Sequence, residues 1–134
     1  MTSGYSQTPL AKKLSLKPGM RAWFDGMPQS VSAEIGEVEL ERLGTPEAPI
    51  DAAHIFVTVR DEMAAKLARL RPLLEPGGFI WVSWPKKASK VPTDITENGI
   101  REVILPDTDL VDVKVCAVDE VWSGLKLMIR RERR

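Results

Sequence analysis

Short apolar runs bounded by glycine and proline alternate along the chain with stretches of helical periodicity. Five of the apolar runs predict β-strands, labelled A to E in chain order: residues 20–25, 53–59, 79–84, 111–118 and 125–130. Strand A is short and lies between turn signals, so we expect it to be buried on both faces. The pattern as a whole is typical of a folded domain with a sheet at its centre.

Helices are predicted between these strands, for residues 8–14, 32–43, 60–74 and 94–105. Thr8 and Pro9 suit the cap and the first turn of a helix. Residues 60–74 have the clearest apolar stripe and begin with two acids, and Pro76-Gly77-Gly78 ends them. Asp94, followed by an acid three residues later, resembles a capping box.

Strands that alternate with helices predict a parallel sheet with right-handed crossovers. Residues 119–124 join the last two strands as a hairpin, which makes one strand antiparallel. We therefore expect an α/β fold with a mostly parallel five-stranded sheet and helices on both faces. Residues 1–134 form a single domain in this interpretation, with a flexible lead-in at residues 1–7 and a charged tail at residues 131–134.

Residues 51–131 resemble the second half of a class I methyltransferase, in which a helix ends in a Pro-Gly-Gly turn, as at residues 76–78. In that family a buried strand, a helix and an antiparallel hairpin follow. The resemblance implies a Rossmann-like sheet with the order A-B-C-E-D and the last strand antiparallel. It also implies that two strands beyond A are missing. An apolar edge invites pairing, so we expect residues 30–49, or a second copy in a homodimer, to cover strand A.

Three long segments carry a second resemblance: GYSQTPLAKKL near the start, WVSWPKKAS in the middle and DVKVCAVDEVWSGLK near the end. They are similar to segments of a small bacterial family, a domain of unknown function. The resemblance spans nearly all of the chain. It implies no activity, because the family has none to transfer.

Charge and composition narrow the range of partners. The chain has 19 basic and 19 acidic residues, so it lacks the basic surplus that nucleic-acid binding uses. Its single cysteine, Cys116, excludes an internal disulfide and fits a reducing compartment. We find no signal peptide and no apolar run of membrane-spanning length. The sequence thus predicts a cytoplasmic protein that binds neither nucleic acid nor membrane.

The sequence lacks residues that several kinds of cofactor, metal and catalytic site require. The turn after strand A, residues 25–28, has one glycine, and Pro28 removes a backbone donor, so we expect no dinucleotide or S-adenosylmethionine cofactor. The acid that would hold a ribose from a second strand has no counterpart. With one histidine and one cysteine, a zinc site is not expected. His54 lies inside strand B, which favours a role in the core, and Cys116 lies mid-strand, where burial would make it inert.

The loop after strand C is the candidate binding site. Lys86, Lys87 and Lys90, together with Ser89, could bind an anion at the carboxyl edge of the sheet. Asp94, at the start of the next helix, would oppose an anion placed there. The alternative is that these lysines are solvated surface residues without a role.

Two tryptophans extend this candidate site. Trp84 ends strand C, and Trp122 lies in the hairpin turn, which should reach the same edge. The two rings and the lysines could therefore share one face. The alternative is that Asp119 and Glu120 pair with the lysines, which would make the cluster structural.

Two functions remain open at this point. The first is a non-enzymatic interaction or small-anion-binding module, whose partner is a small anion or another protein. The second is a transferase-like enzyme that acts on a small acidic or phosphorylated substrate. The first is favoured, because no nucleophile with an activating base is visible.

Overall fold

A computed structural model describes residues 9–105 and 107–134. The lead-in predicted for residues 1–7 and the cap predicted at Thr8 lie outside the described residues. The strands are β1 Arg21–Asp25, β2 Glu41–Arg42, β3 Ile50–Phe56, β4 Leu74–Pro85, β5 Leu110–Ala117 and β6 Trp122–Ile129. The α-helices are α1 Leu10–Lys13, α2 Gln29–Ile35, α3 Arg60–Leu70 and α4 Glu97–Ile104.

The strands form one sheet with the order β2-β1-β3-β4-β6-β5. Strands β2, β1, β3 and β4 are parallel to one another, and β6 is antiparallel to both of its neighbours. The predicted strands A, B, C, D and E correspond to β1, β3, β4, β5 and β6, so the order A-B-C-E-D is confirmed. The mostly parallel α/β fold is confirmed with it.

The sheet has six strands rather than the five predicted. The helix predicted for residues 32–43 is wrong beyond Ile35, because Gly36 adopts a φ of +77° and ends α2. The chain then places Glu41 and Arg42 beside the first two residues of β1. Residues 30–49 thus cover part of the edge of β1, as expected, and one short strand of the two thought missing is present.

Helices cover both faces of the sheet. On one face, α3 and α4 bury a core that includes Met63, Leu67, Ile100 and Ile104. On the other, α1 and α2 bury Leu10, Leu14, Val31 and Ile35. Strand β1 departs from expectation, because Ala22 is its one fully buried residue. The reason is its position near the edge, where a neighbour of two residues covers little of it.

Trp81 ties α1 to the centre of the sheet. Its side chain is 1% exposed, and its Nε1 donates a hydrogen bond to the carbonyl oxygen of Leu14 at 2.9 Å. This carbonyl lies just beyond the end of α1, where helix carbonyls have no partner within the helix. The bond therefore satisfies two buried polar groups at once.

The Pro-Gly-Gly segment, residues 76–78, lies within the central strand β4 and does not end the preceding helix directly. Helix α3 ends at Leu70, a 3-10 turn spans Arg71–Leu73, and β4 already starts at Leu74. A Cβ on Gly78 would lie 2.8 Å from the carbonyl oxygen of Ile50, on the neighbouring strand. Gly78 therefore allows two backbones to approach closely, whereas nothing lies within 4 Å of a Cβ on Gly77.

This difference predicts unequal effects for two neighbouring substitutions. We expect Gly78→Ala to lower the free energy of unfolding by about 1–3 kcal/mol, because the added methyl group forces the backbone of β3 and β4 apart. Gly77→Ala is the matched control and should change stability little. Urea denaturation of both variants checks this, and equal midpoints would contradict the packing argument.

Candidate functional site

The loop after β4 and the hairpin turn between β5 and β6 meet at the carboxyl edge of the sheet. The backbone amide of Lys86 donates to the carbonyl oxygen of Val121 at 2.7 Å. Within the turn, Oδ1 of Asp119 accepts hydrogen bonds from the amides of Val121 and Trp122 at 2.8 and 2.7 Å. The predicted convergence of the two loops at one edge is therefore present.

Hydrogen bonds also hold the lysine loop, residues 86–90, in one shape. The hydroxyl of Ser89 donates to the carbonyl oxygen of Lys86 at 2.7 Å and accepts from the amide of Val91 at 3.2 Å. Lys90 adopts the left-handed conformation, with a φ of +63°. Both features turn the chain tightly, so the hydroxyl of Ser89 supports the loop itself.

The three lysines of this loop are at least partly accessible to solvent. Lys87 and Lys90 are exposed, and Lys86 is half-buried. Within residues 9–105 and 107–134, none of the three lies within ion-pair distance of a carboxylate. The alternative in which Asp119 and Glu120 neutralise them is thus not seen in this part of the chain.

The two tryptophans lie on opposite faces of the sheet. In the register of β4 and β6, Trp84 pairs with Ser123, and Trp122 pairs with Pro85. Because successive side chains in a strand alternate between faces, the two rings point in opposite directions. The hypothesis that they share one face is therefore wrong.

Each ring packs in a different core. Trp84 is 8% exposed and belongs to the core under α3 and α4. Trp122 is half-buried and packs edge-on against Phe56 on the other face, with 5.1 Å between ring centroids. The positions of both residues at the carboxyl edge agree with the prediction, whereas the shared face predicted for their rings does not.

Asp94 occupies the amino end of α3 rather than capping its own helix. Its Oδ1 accepts a hydrogen bond from the backbone amide of Arg60 at 2.7 Å. Helix α4 is instead capped by Thr96, whose Oγ1 accepts from the amide of Gly99 at 2.9 Å. The capping box predicted at Asp94 is thus wrong. The cap lies two residues later and consists of one hydrogen bond, because Gly99 has no side chain to return a second one. The carboxylate of Asp94 therefore opposes an anion at the start of α3, whereas the expectation placed it at the start of the helix that follows the lysine loop.

His54 and Ser83 form a buried pair on neighbouring strands. His54 is 2% and Ser83 is 0% exposed, and 2.6 Å separates Nε2 of the imidazole from the hydroxyl oxygen. The imidazole also stacks on Phe56, with 4.3 Å between ring centroids. Burial lowers the pKa of His54 from 6.5 to about 3. The core role predicted for His54 is confirmed.

Cys116 is also buried, as predicted. It is 6% exposed, and burial raises the pKa of its thiol. A thiol that resists ionisation is a poor nucleophile. Its position within the sheet therefore fits packing.

The turn after β1 does not fit an S-adenosylmethionine site. Gly26 has a φ of +72°, and a Cβ there would lie 3.2 Å from the carbonyl oxygen of Phe56. Pro28, which has no amide hydrogen, precedes α2. Asp25 forms an ion pair with Lys66 of α3. At this turn, Pro28 therefore removes a backbone donor that such a cofactor could use, and the carboxylate of Asp25 is already paired with Lys66.

The short strand β2 does not supply the acid either. Glu41 lies level with Arg21 and forms an ion pair with it at 2.5 Å. Arg42, the last residue of β2, lies level with Ala22, near the amino end of β1. Strand β2 therefore ends level with Ala22, three residues before the end of β1 at Asp25. Its carboxylate, that of Glu41, lies beside the start of β1 and away from the turn that follows β1.

Solved structures with the same architecture include a methyltransferase and two fibrillarins. An S-adenosylmethionine-dependent methyltransferase from Aquifex aeolicus is 17% identical, with a TM-score of 0.63, over 90% of this chain and 87% of that one. Fibrillarin from Aeropyrum pernix, solved with bound S-adenosyl-L-methionine, is 14% identical, with a TM-score of 0.56, over 93% and 70%. A Methanococcus jannaschii fibrillarin is 11% identical, with a TM-score of 0.52, over the same shares, 93% and 70%.

The chain has a methyltransferase-like fold. Identities this low show the fold alone. Searches of family models and of curated proteins found no match, so the three sequence segments noted above remain a resemblance.

Two further observations concern the described part of the chain. Residues 9–105 and 107–134 contain no cluster of three or more histidine, cysteine or acidic side chains that could hold a metal ion. None of the helices formed by these residues is both long and apolar enough to cross a membrane.

Sequence reasoning missed a groove at the opposite edge of the sheet. It has a volume of about 900 Å³ and lies between α3 and α4, with the end of β6 at its side. Ala64, Arg71, Asp109 and Arg130 all line it, although they are far apart in the sequence. No local pattern signals such a groove, because the fold alone brings these segments together.

The buried imidazole predicts a specific dependence of stability on pH. Below pH 6.5 the unfolded chain binds a proton at His54, whereas the native state does not bind it until about pH 3. The wild type should therefore lose stability as the pH falls through this window, by up to about 1.4 kcal/mol per pH unit from this group.

The variant His54→Gln removes the titrating group and keeps a polar partner for Ser83. Because His54 is the one histidine in the chain, the difference between the two proteins isolates its contribution. Urea denaturation at a series of pH values from 7 to 4 should show a shallower decline for the variant. Parallel curves would contradict the buried, neutral imidazole.

Proposed function

We propose that this protein is a non-enzymatic module that binds a small anion, and that the lysine loop is its site. The observation that carries the proposal is the set of three lysines without a carboxylate partner among the described residues. Six basic side chains among the described residues form ion pairs, and others, such as Lys12 and Lys17, do not. What distinguishes the loop is that three such lysines lie within five residues of one another at the carboxyl edge of the sheet.

The position of the loop supports the proposal. It follows β4, a strand near the middle of the sheet, at the carboxyl edge where open α/β sheets bind their ligands. A lysine ammonium group offers three hydrogen-bond donors and no acceptor, which suits phosphate or carboxylate oxygens. Three such groups within five residues can surround one small anion.

The defined shape of the loop supports it further. The hydroxyl of Ser89 and the left-handed turn at Lys90 fix the backbone, and the amide of Lys86 joins it to the hairpin turn. A loop held in one conformation loses less entropy on binding than a mobile one. In this proposal Lys86, Lys87 and Lys90 contact the anion, while Ser89 and the packed rings of Trp84 and Trp122 position the loop.

The enzyme alternative has less support. A nucleophile must contact its substrate, yet His54 and Ser83 are almost fully buried, and so is Cys116. The turn after β1 also fits poorly to the methyl donor that solved relatives of this fold bind. A binding role needs neither feature.

The proposal predicts that anion binding depends on this loop. Inorganic pyrophosphate is a suitable probe, because it is small and strongly charged. We expect Lys86→Ala combined with Lys87→Ala to weaken its binding at least tenfold, equivalent to about 1.4 kcal/mol, in isothermal titration at low salt. Lys12→Ala combined with Lys17→Ala is the matched control, since it removes the same charge from exposed positions elsewhere.

Two results would overturn the proposal. Equal losses in the two double variants would show that overall charge attracts the anion, without a site at this loop. Binding of S-adenosylmethionine that is unaffected by either double variant would favour the enzyme alternative instead.

A further inference from the structure

The groove between α3 and α4 has the size of a ligand pocket. Its volume of about 900 Å³ falls in the range of small-molecule sites. It lies where β5 begins and β6 ends, which is the amino edge of the parallel strands. The lysine loop is at the other edge, so the groove is a separate feature of the molecule.

The lining of the groove is divided into an apolar wall and a charged end. The apolar wall comes from α3, α4 and the start of β5: Ala64, Leu67, Ala68, Val103, Ile104 and Leu110. The charged end is formed by the 3-10 turn after α3, the residues before β5 and the chain end. Such a division favours a ligand with an apolar body and one polar head.

Within the charged end, Asp109 is fully engaged. Its two carboxylate oxygens accept hydrogen bonds from Nε and Nη2 of Arg71 at 2.6 and 2.7 Å. Nε of Arg133 lies 3.9 Å from the same carboxylate. The hydrogen bond from Arg71 holds the pKa of Asp109 below its usual range. Asp109 and Arg71 thus satisfy each other and leave little charge for a ligand.

Arg130 is different, because its guanidinium has an unused donor. Nε of Arg130 is enclosed by protein and has no hydrogen-bond partner among the described residues. The backbone amide of the same residue donates to the carbonyl oxygen of Asp109 at 2.7 Å, which fixes where the side chain starts. Because Nε is shielded from solvent, a ligand in the groove would meet the rest of the guanidinium. Arg130 as a whole is half-buried and, unlike Arg71 and Arg133, forms no ion pair with a carboxylate among the described residues.

We infer that the groove binds a small organic monocarboxylate with an apolar body. The carboxylate would accept a hydrogen bond from the guanidinium of Arg130, and the hydrocarbon part would lie against Ala68 and Val103, which line the groove and are not fully buried. Three arginines and three acids line the groove, namely Arg71, Arg130, Arg133, Asp107, Asp109 and Glu132. Because these charges balance, a ligand with several negative charges is disfavoured relative to one with a single charge.

The inference can be tested with octanoate as the probe and octan-1-ol as its uncharged counterpart. Titration into the ¹⁵N-labelled full chain at neutral pH reports both affinity and location. We expect octanoate to shift amide resonances of α3, α4 and residues 107–110, and to bind at least tenfold more tightly than octan-1-ol. A charge-assisted hydrogen bond at Arg130 accounts for this difference.

Two kinds of variant test the charge of Arg130 and the volume of the groove separately. Arg130→Gln should weaken octanoate at least tenfold and leave octan-1-ol nearly unchanged. Ala68→Trp should block both compounds, because Ala68 is exposed on α3 and lines the groove. Ala65→Trp is the matched control, since Ala65 is exposed on the same helix outside the groove. Lys86→Ala with Lys87→Ala should have no effect on octanoate.

Several outcomes would overturn the inference. They are octanoate failing to bind at millimolar concentration, binding no more tightly than octan-1-ol, or shifting the lysine loop instead of the groove. If Arg130→Gln fails to fold, as judged by circular dichroism, the octanoate affinities of Ala68→Trp and Ala65→Trp show whether the ligand lies in the groove. Equal octanoate affinity in those two variants would place the ligand elsewhere.

Discussion

The structure depends on one constraint, which is that β4 is buried on both faces. From Gly78 to Pro85 every residue of this strand is buried, and it pairs in parallel with β3 and antiparallel with β6. A strand of this kind is stable only if helices cover the sheet on both sides. Helices α3 and α4 meet this need on one face, and α1 and α2 on the other. The close approach at Gly78 and the hydrogen bond of Trp81 to the carbonyl of Leu14 follow from the same arrangement.

The alternation of side chains along β4 also decides what this strand contributes to a site. Trp84 points into the core beneath α3 and α4, whereas Trp81 and Ser83 face the side on which His54 and Trp122 lie. Large aromatic groups are therefore used for packing, and they are not free to contact a ligand as a pair. What remains available at the carboxyl edge is the loop after the strand. Its three lysines have no carboxylate partner in the described part of the chain.

The two proposed sites lie at opposite edges of the same sheet and differ in their physical character. The lysine loop is open to solvent, so its charges are screened and its attraction for an anion weakens as the salt concentration rises. In the groove, the half-buried Arg130 lines the same cavity as apolar side chains of α3 and α4. A hydrogen bond there is stronger, because water competes with it less. One site thus suits a small, highly charged anion, and the other suits an amphipathic acid.

Much of the fold could be predicted from the sequence, because it follows from local patterns. The apolar runs and the Pro-Gly-Gly segment located five strands, and the resemblance to methyltransferases supplied their order. The strand β2 was missed, because two polar residues, Glu41 and Arg42, carry no strand pattern and pair only because the edge of β1 is available. The sequence also located the lysine loop and indicated that His54 and Cys116 are buried. The tertiary structure alone decided that Trp84 and Trp122 face apart, and that Arg71, Asp109 and Arg130 meet in one groove. The reason is that strand register and helix packing join residues far apart in the chain, and no local pattern records those contacts.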